Sequence, residues 1–298
     1  MTLPHAHGSF ENLPTDRTLI MGILNVTPDS FSDGGLYDDP AAAVGHARKL
    51  VAQGADIIDI GGESTRPGAI RVPLAEEQRR VLPVVEALVA EGIVISVDTL
   101  NPETARAAVE AGAHIINDVA GMSLREDMVS TVAELGVPYI LMHARGTSQN
   151  MDTQATYTNV VEEVLGELFV LRERLLAGGV APENIILDPG PGFAKQGDQN
   201  WQVLAATEQL AEQGHRVLVA GSRKRFIARL LQELDAATNG LDLEKVTERS
   251  ATERDIASAA LSLLAADAGA WAVRVHDVQA TADALAVRTA WLEATRGS

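Results

Sequence analysis

The 298-residue chain contains no cysteine, so disulfides and thiolate metal sites are excluded. It also lacks long apolar runs: none approaches the roughly 18 residues that span a bilayer. Residues 1–16 lack a basic start followed by an apolar stretch, so no secretory signal is expected. The expectation is a cytoplasmic protein without a membrane partner. Positive charge is scarce as well. Lys and Arg number 24 against 41 Asp and Glu, a net charge of -17. That argues against a nucleic-acid partner, which would leave a basic footprint. Only four lysines occur, Lys49, Lys195, Lys224 and Lys245. Lys195 and Lys224 fall in Gly-containing polar segments, where a lone positive charge suits an anion.

Apolar residues are plentiful, at 46%. They gather in eight short runs that end near Asn25, Gly61, Asp98, Asp118, His143, Asp188, Ser222 and His276. Such near-continuous runs fit strands buried on both faces, as in a parallel sheet. Helical stretches alternate with them: 41–53, 102–111, 157–177, 255–268 and 277–294. For 102–111, Asn101 reads as the N-cap, Pro102 as N1 and Gly112 as the stop. Residues 232–250 read as a polar surface excursion. Trp201, Trp271 and Trp291 read as packing residues, and His143 as structural.

Eight strand–helix units predict an α/β fold, a single-domain (β/α)8 TIM barrel over residues 17–294, with a doubly wound sheet as the alternative. Residues 1–16 read as a flexible N-terminal segment and 295–298 as a tail. The polar residues favour the barrel. Asn25, Asp59, Asp98, Asn117, Asp118, His143, Asp188, Ser222, Arg274 and His276 all sit near strand C-terminal ends. A barrel gathers those ends into one ring, where active sites lie. An open sheet would bring together mainly those near its switch point.

The ring has a recognisable chemistry. Asp98, Asn117 and Asp188 offer two carboxylates and an amide, which suit the amino-pyrimidinone edge of a flat heterocycle. Gly221-Ser222-Arg223-Lys224 follows the seventh strand and opens a helix, a favoured place for an anion. Arg274 and His276, two residues apart on the last strand, share a face and could form an anion site. The alternative for Arg274 is pairing with a barrel carboxylate. The turn 188–195 places Phe193 where it could wall a pocket. The loop 25–35 carries hydroxyls, carboxylates and the Asn25 amide, which are ligands for a hard cation.

With these segments in view the chain resembles the dihydropteroate synthase family of pterin-binding enzymes. The resemblance rests on Asn25-Val26-Thr27-Pro28-Asp29-Ser30-Phe31-Ser32-Asp33-Gly34-Gly35 and Asp59-Ile60-Gly61-Gly62-Glu63-Ser64-Thr65-Arg66-Pro67-Gly68. It continues through Ser96-Val97-Asp98-Thr99, Ile116-Asn117-Asp118-Val119, Met142-His143, Asp188-Pro189-Gly190, Ser222-Arg223-Lys224 and Arg274-Val275-His276-Asp277. It implies a usually homodimeric barrel that joins 4-aminobenzoate to 6-hydroxymethyl-7,8-dihydropterin diphosphate, with Mg2+, and that sulfonamides inhibit.

It further implies pterin contacts from Asp98, Asn117, Val119, Met142, Asp188, Phe193 and Lys224. Diphosphate contacts would come from Asn25, Thr65, Arg274 and His276, with Asn25 also meeting the metal. Aminobenzoate contacts would come from Phe31, Thr65, Arg66, Pro67, Ser222 and Arg225. Asp98, Asp188, Lys224, Asp33 and Arg66 would carry the chemistry, with Asp98 and Asp188 kept ionised. Residues 29–33 and 65–67 would lie on two loops that close over the site. Ala220, Pro191, Ala194, Gln196 and Ser148 depart from the family's usual residues. The rival expectations are a non-catalytic pterin-binding paralogue, a methyltetrahydrofolate-binding methyltransferase domain, and a generic phosphate-binding barrel.

Overall fold

The computed structural model describes residues 5–27, 40–63, 71–147 and 149–296. Eight parallel strands close a barrel in chain order. They are β1 (Leu19–Asn25), β2 (Ile57–Gly61), β3 (Val94–Asp98), β4 (Ile115–Asp118), β5 (Tyr139–Met142), β6 (Ile185–Asp188), β7 (Arg216–Val219) and β8 (Ala272–Val275). The helices are α1 (Pro40–Ala52), α2 (Leu74–Val89), α3 (Pro102–Glu110), α4 (Glu126–Leu135), α5 (Val160–Ala177), α6 (Asp198–Ala205), α7 (Thr207–Ala211), α8 (Arg225–Asn239), α9 (Asp255–Asp267) and α10 (Val278–Arg296).

The two-residue alternation of a strand divides the apolar runs into two cores. Leu19, Met21, Ile57, Val94, Ile115, Ile140, Ile186, Leu218 and Ala272 fill the lower interior of the barrel. Ile20, Leu24, Ile58, Ile60, Ile95, Val97, Ile116, Leu141, Leu187 and Val219 face outward into the helix layer. On four strands the position two residues beyond a lower interior residue becomes one of the charged or amide groups of the mouth. Ile57 is followed by Asp59, Ile115 by Asn117, Ile186 by Asp188 and Ala272 by Arg274. The sequence therefore builds an oily floor and a polar mouth from one alternation.

Several local expectations are corrected. Residues 5–16 are not frayed: Leu13 is buried in the lower interior core, and His7 Nε2 lies 3.0 Å from Asp56 Oδ1. Helix α10 runs on to Arg296, past the expected boundary of the tail at 295. Residues 232–239 are not an excursion but the last turns of α8, which Gly240 ends in the left-handed conformation. Polar residues there occupy the solvent face, while Leu231 and Ala236 are buried. Asn101 holds the N-cap position of α3, but its side chain makes no capping bond. It donates instead to Glu77 at 2.6 Å. Helix α5 begins at Val160 rather than 157, capped by Asn159. Trp271 and Trp201 pack as expected, against Phe10 and Phe226. Trp291 does not; it is 73% exposed on α10.

Candidate active site at the barrel mouth

Strand register assembles the mouth. Asn25 pairs with Gly61, Gly61 with Asp98, and Asp98 with Asn117. On the far side Met142 pairs with Asp188. The hydrogen-bonded ladder thus sets Asn25, Asp98 and Asn117 at one level, with Gly61 leaving room between the first two.

Arg274 reaches across this level. Its Nε donates to Asp59 Oδ2 at 2.6 Å and its Nη2 to Asp98 Oδ2 at 3.1 Å. Asn117 Nδ2 donates to the same Asp59 oxygen at 3.1 Å. Asp59 is fully buried, and its Oδ1 has no partner among the described residues. Arg274 therefore does pair with barrel carboxylates, two of them, as the alternative for it held.

Burial dominates the ionisation of the site. It pushes the Asp98 carboxyl up to about 7, against the opposing pull of Arg274. Asp188 is raised for the same reason, with Lys224 opposing. The sequence expectation that both stay ionised is thus corrected: Asp98 titrates near neutrality. Burial also lowers Lys224, to about 8, with Asp188 acting the other way.

The 188–195 turn forms the opposite wall. Gly190 N–H donates to Asp188 Oδ1 at 2.7 Å. Gly190 has φ 64, and a Cβ there would lie 2.0 Å from the His143 carbonyl oxygen, so only glycine fits. Lys224 Nζ donates to the Pro191 carbonyl at 2.5 Å and sits 4.4 Å from the Phe193 ring centroid. Val119 and Phe193 border a cavity of about 280 Å³. Met128, Ala144 and Met151 give it apolar walls, and Arg71 and Arg125 add charge.

Three polar residues at or near strand ends do not line the mouth. Asp118 follows the inward-facing Asn117 and so points outward, where it accepts from Tyr139 Oη and Ala120 N–H, both at 2.7 Å. His143 likewise follows Met142 and faces outward. Lys195, noted for its place in a Gly-containing segment, is buried inside its own turn. Its Nζ donates to His143 Nδ1 at 2.9 Å and to the carbonyls of Gly190 and Phe193, both at 3.0 Å. Since His143 Nδ1 accepts, its Nε2 carries the proton, 2.8 Å from Glu167.

Ser222 Oγ accepts from the His276 backbone N–H at 3.2 Å and lies 3.1 Å from His276 Nδ1, which ties the last two strand ends together. Arg223 turns away to a bidentate pair with Asp255. Arg225, at the start of α8, pairs with Asp152. Phe31, Asp33, Thr65, Arg66, Pro67 and Ser148 lie outside the described residues. Glu77 was not anticipated. It is buried on α2 and accepts from Thr99 and Thr104 at 2.7 Å, bracing the chain just after Asp98. A carboxylate on an amphipathic helix reads as solvent-facing, so no sequence signal marked it.

The mouth thus joins a heterocycle-sized carboxylate–amide edge, a lysine beside an aromatic ring, and an arginine at its base. Comparison with known proteins agrees with this geometry. The family model described as pterin binding enzyme matches residues 21–276. The chain is 47% identical to the dihydropteroate synthase of Mycobacterium leprae, covering 92% of this chain and 94% of that one. It is 44% identical to that of Bacillus subtilis, covering 89% and 85%. A structure of the Yersinia pestis dihydropteroate synthase in a sulfonamide drug complex superposes with a TM-score of 0.83 at 38% identity, covering 96% and 97%. The Xanthomonas albilineans enzyme in complex with 7,8-dihydropteroate superposes with a TM-score of 0.77 at 42% identity, covering 94% and 95%.

Proposed function

We propose how the mouth works from the premise that this chain belongs to the pterin-binding enzyme family, among its dihydropteroate synthases. It is a transferase. It condenses 6-hydroxymethyl-7,8-dihydropterin diphosphate with 4-aminobenzoate, giving 7,8-dihydropteroate and diphosphate. The single observation that carries the site assignment is the level shared by Asp98 and Asn117, facing Asp188 across the mouth.

The two carboxylates and the amide take the donor-rich edge of the pterin. A ring N–H and amine placed against Asp98 favour its charged form, so substrate binding ionises a carboxyl that otherwise titrates near neutrality. Phe193, Val119 and Met142 hold the ring faces, and Lys224 lies along one of them. As the carbon–oxygen bond to diphosphate breaks, positive charge spreads over the pterin methylene and ring. The ionised Asp98 and Asp188 stabilise it. Arg274 and His276, at the base of the mouth, take the departing diphosphate.

The aniline nitrogen of 4-aminobenzoate then attacks the methylene and loses its proton. Ser222 and Arg225, at the entry to α8, are assigned to its carboxylate end. Phe31, Asp33, Thr65, Arg66 and Pro67 are assigned to the loops that complete the pocket and keep water from the cation.

Mg2+ suits the Asn25 position. The residue presents a hard amide oxygen at the mouth, and Mg2+ takes few protein ligands when substrate phosphates supply the rest. When bound it would neutralise charge on the leaving diphosphate. Sulfonamides would compete with 4-aminobenzoate, as the Yersinia pestis complex suggests. A homodimer fits the apolar side chains that α8 and α9 leave exposed, Leu234, Ile256 and Leu264. No helix among the described residues is long and apolar enough to cross a membrane.

The test is diphosphate release by purified protein supplied with both substrates and Mg2+. Asp98→Ala and Lys224→Ala should nearly abolish it. A near-normal rate in either variant removes that residue from its role. Pterin binding with no release would favour the non-catalytic paralogue.

A further inference from the structure

The face of the barrel opposite the mouth holds a group of side chains that the condensation does not use. Asp56 precedes β2 and is fully buried. Arg17 grips it with both terminal nitrogens, Nη1 to Oδ2 at 2.8 Å and Nη2 to Oδ1 at 2.7 Å. The Ile20 N–H donates to Oδ2 at 3.0 Å. These partners fix the carboxylate plane. Burial alone would raise the group, but Arg17 and the Ile20 N–H together hold it below the usual carboxylate range.

Two imidazoles converge on the Oδ1 oxygen. His7 Nε2 is 3.0 Å away and His5 Nδ1 is 3.5 Å away. The three ligand atoms all lie within 4.8 Å of one another. One hydrogen bond from His7 accounts for His7. It leaves unexplained why a second imidazole nitrogen points at an oxygen already held by Arg17 and His7. A metal ion accounts for both. Tetrahedral Zn2+ with bonds of about 2.0–2.1 Å separates its ligands by about 3.3 Å, and the two observed separations bracket that value.

We propose that His5, His7 and Asp56 are three ligands of a site for a divalent transition metal of the Zn2+ type. Two imidazoles and a carboxylate are a common donor set for that class of ion. Arg17 and the Ile20 backbone orient the ligating carboxylate from behind, as outer partners do at metal sites. A cavity of about 270 Å³ lies beside the group, lined by His5, Arg17, Gln53, Leu285 and Arg288, with room for water or a small anion. Two ligands come from residues 5–7 and one from the barrel. The ion therefore clamps the N-terminal segment, and the Leu13 plug behind it, to the barrel floor.

The test uses untagged, chelator-treated full-length protein. Zn2+ should bind with one tight equivalent by calorimetry. Co2+, as a spectroscopic probe, should give the intense visible bands of a four-coordinate ion. His5→Ala and His7→Ala should each weaken Zn2+ binding about 10-fold or more and abolish the Zn2+-dependent rise in Tm. Both should leave Mg2+-supported condensation unchanged, because neither residue lies at the mouth. His46→Ala, on α1, should bind Zn2+ like the wild type. Absence of a tight equivalent, a weak six-coordinate Co2+ spectrum, or unchanged affinity in both His5→Ala and His7→Ala would overturn the assignment.

Discussion

Lys195 Nζ lies 2.9 Å from His143 Nδ1, and both groups are buried. Burial lowers the lysine to about 7 and the histidine to about 4. The ammonium gathers two carbonyls of the 188–195 turn and so sets the wall that carries Phe193 and receives Lys224. Lys195→Met would leave the Phe193 carbonyl and His143 Nδ1 without that donor, at about 1–3 kcal/mol each, while the Gly190 carbonyl keeps the Phe193 N–H at 3.1 Å. The expected result is a lower Tm and a raised KM for the pterin diphosphate, with the KM for 4-aminobenzoate unchanged. Equal rises in both KM values would show general loosening rather than control of the pterin wall.

Ala194 precedes that lysine with φ 48, in the left-handed region. The side chain costs energy there, and a glycine would not. Ala194→Gly should stabilise the chain by about 1 kcal/mol, less whatever the added freedom of the unfolded chain removes. Urea midpoints with an unchanged slope measure it. A lower midpoint would mean that the methyl group contributes packing worth more than the strain.

Asp98 holds its proton more tightly in the folded chain than in the unfolded one. Its stabilising contribution is therefore complete below the unfolded value of about 3.9 and is lost as pH rises through about 7. Asp98→Asn does not titrate. Between about pH 5 and pH 8.5 the Tm of the wild type should fall more than that of the variant. The variant should also be nearly inactive. Parallel Tm curves would place the titration elsewhere.

The same groups predict the rate profile. The proposed pterin capture needs Asp98 ionised and Lys224 protonated, so kcat/KM for the pterin diphosphate should rise through about 7 and fall beyond about 8. Lys224→Arg keeps its charge at all accessible pH and should lose the falling limb, whatever its absolute rate. A falling limb that persists in this variant would exclude Lys224 as its source.

Arg274 pairs with two buried carboxylates and is the residue proposed to take the diphosphate. Arg274→Met would leave Asp59 and Asp98 uncompensated in the interior, at a cost of about 3–5 kcal/mol. His276→Asn leaves both Arg274 pairs in place. It should keep stability within about 1 kcal/mol while weakening inhibition by free diphosphate. Denaturant melts and product-inhibition constants separate the two effects.

The barrel was legible because the strands are near-continuous apolar runs with polar residues at or just past their C-terminal ends. Asn117 and Asp188 were legible because they sit two residues above apolar interior positions, and Asp98 because it ends the Val94–Asp98 strand. Asp118 misled because it lies one residue further on, and a single step along a strand reverses the face. The same step turns His143 outward, into the structural place expected of it. Lys195 misled because its direction depends on backbone angles at Gly190 and Ala194, which composition does not specify. Residues 5–16 are too short and irregular to show a period, so their packing under the barrel left no pattern. Glu77 was hidden because its partners, Thr99, Asn101 and Thr104, come from another element.

The most direct measurement follows diphosphate and dihydropteroate together, in one reaction containing the pterin diphosphate, 4-aminobenzoate and Mg2+. The account predicts equimolar formation of both products by the wild type and neither by Asp98→Ala. Tight pterin binding without products, or undiminished product formation by Asp98→Ala, would contradict it.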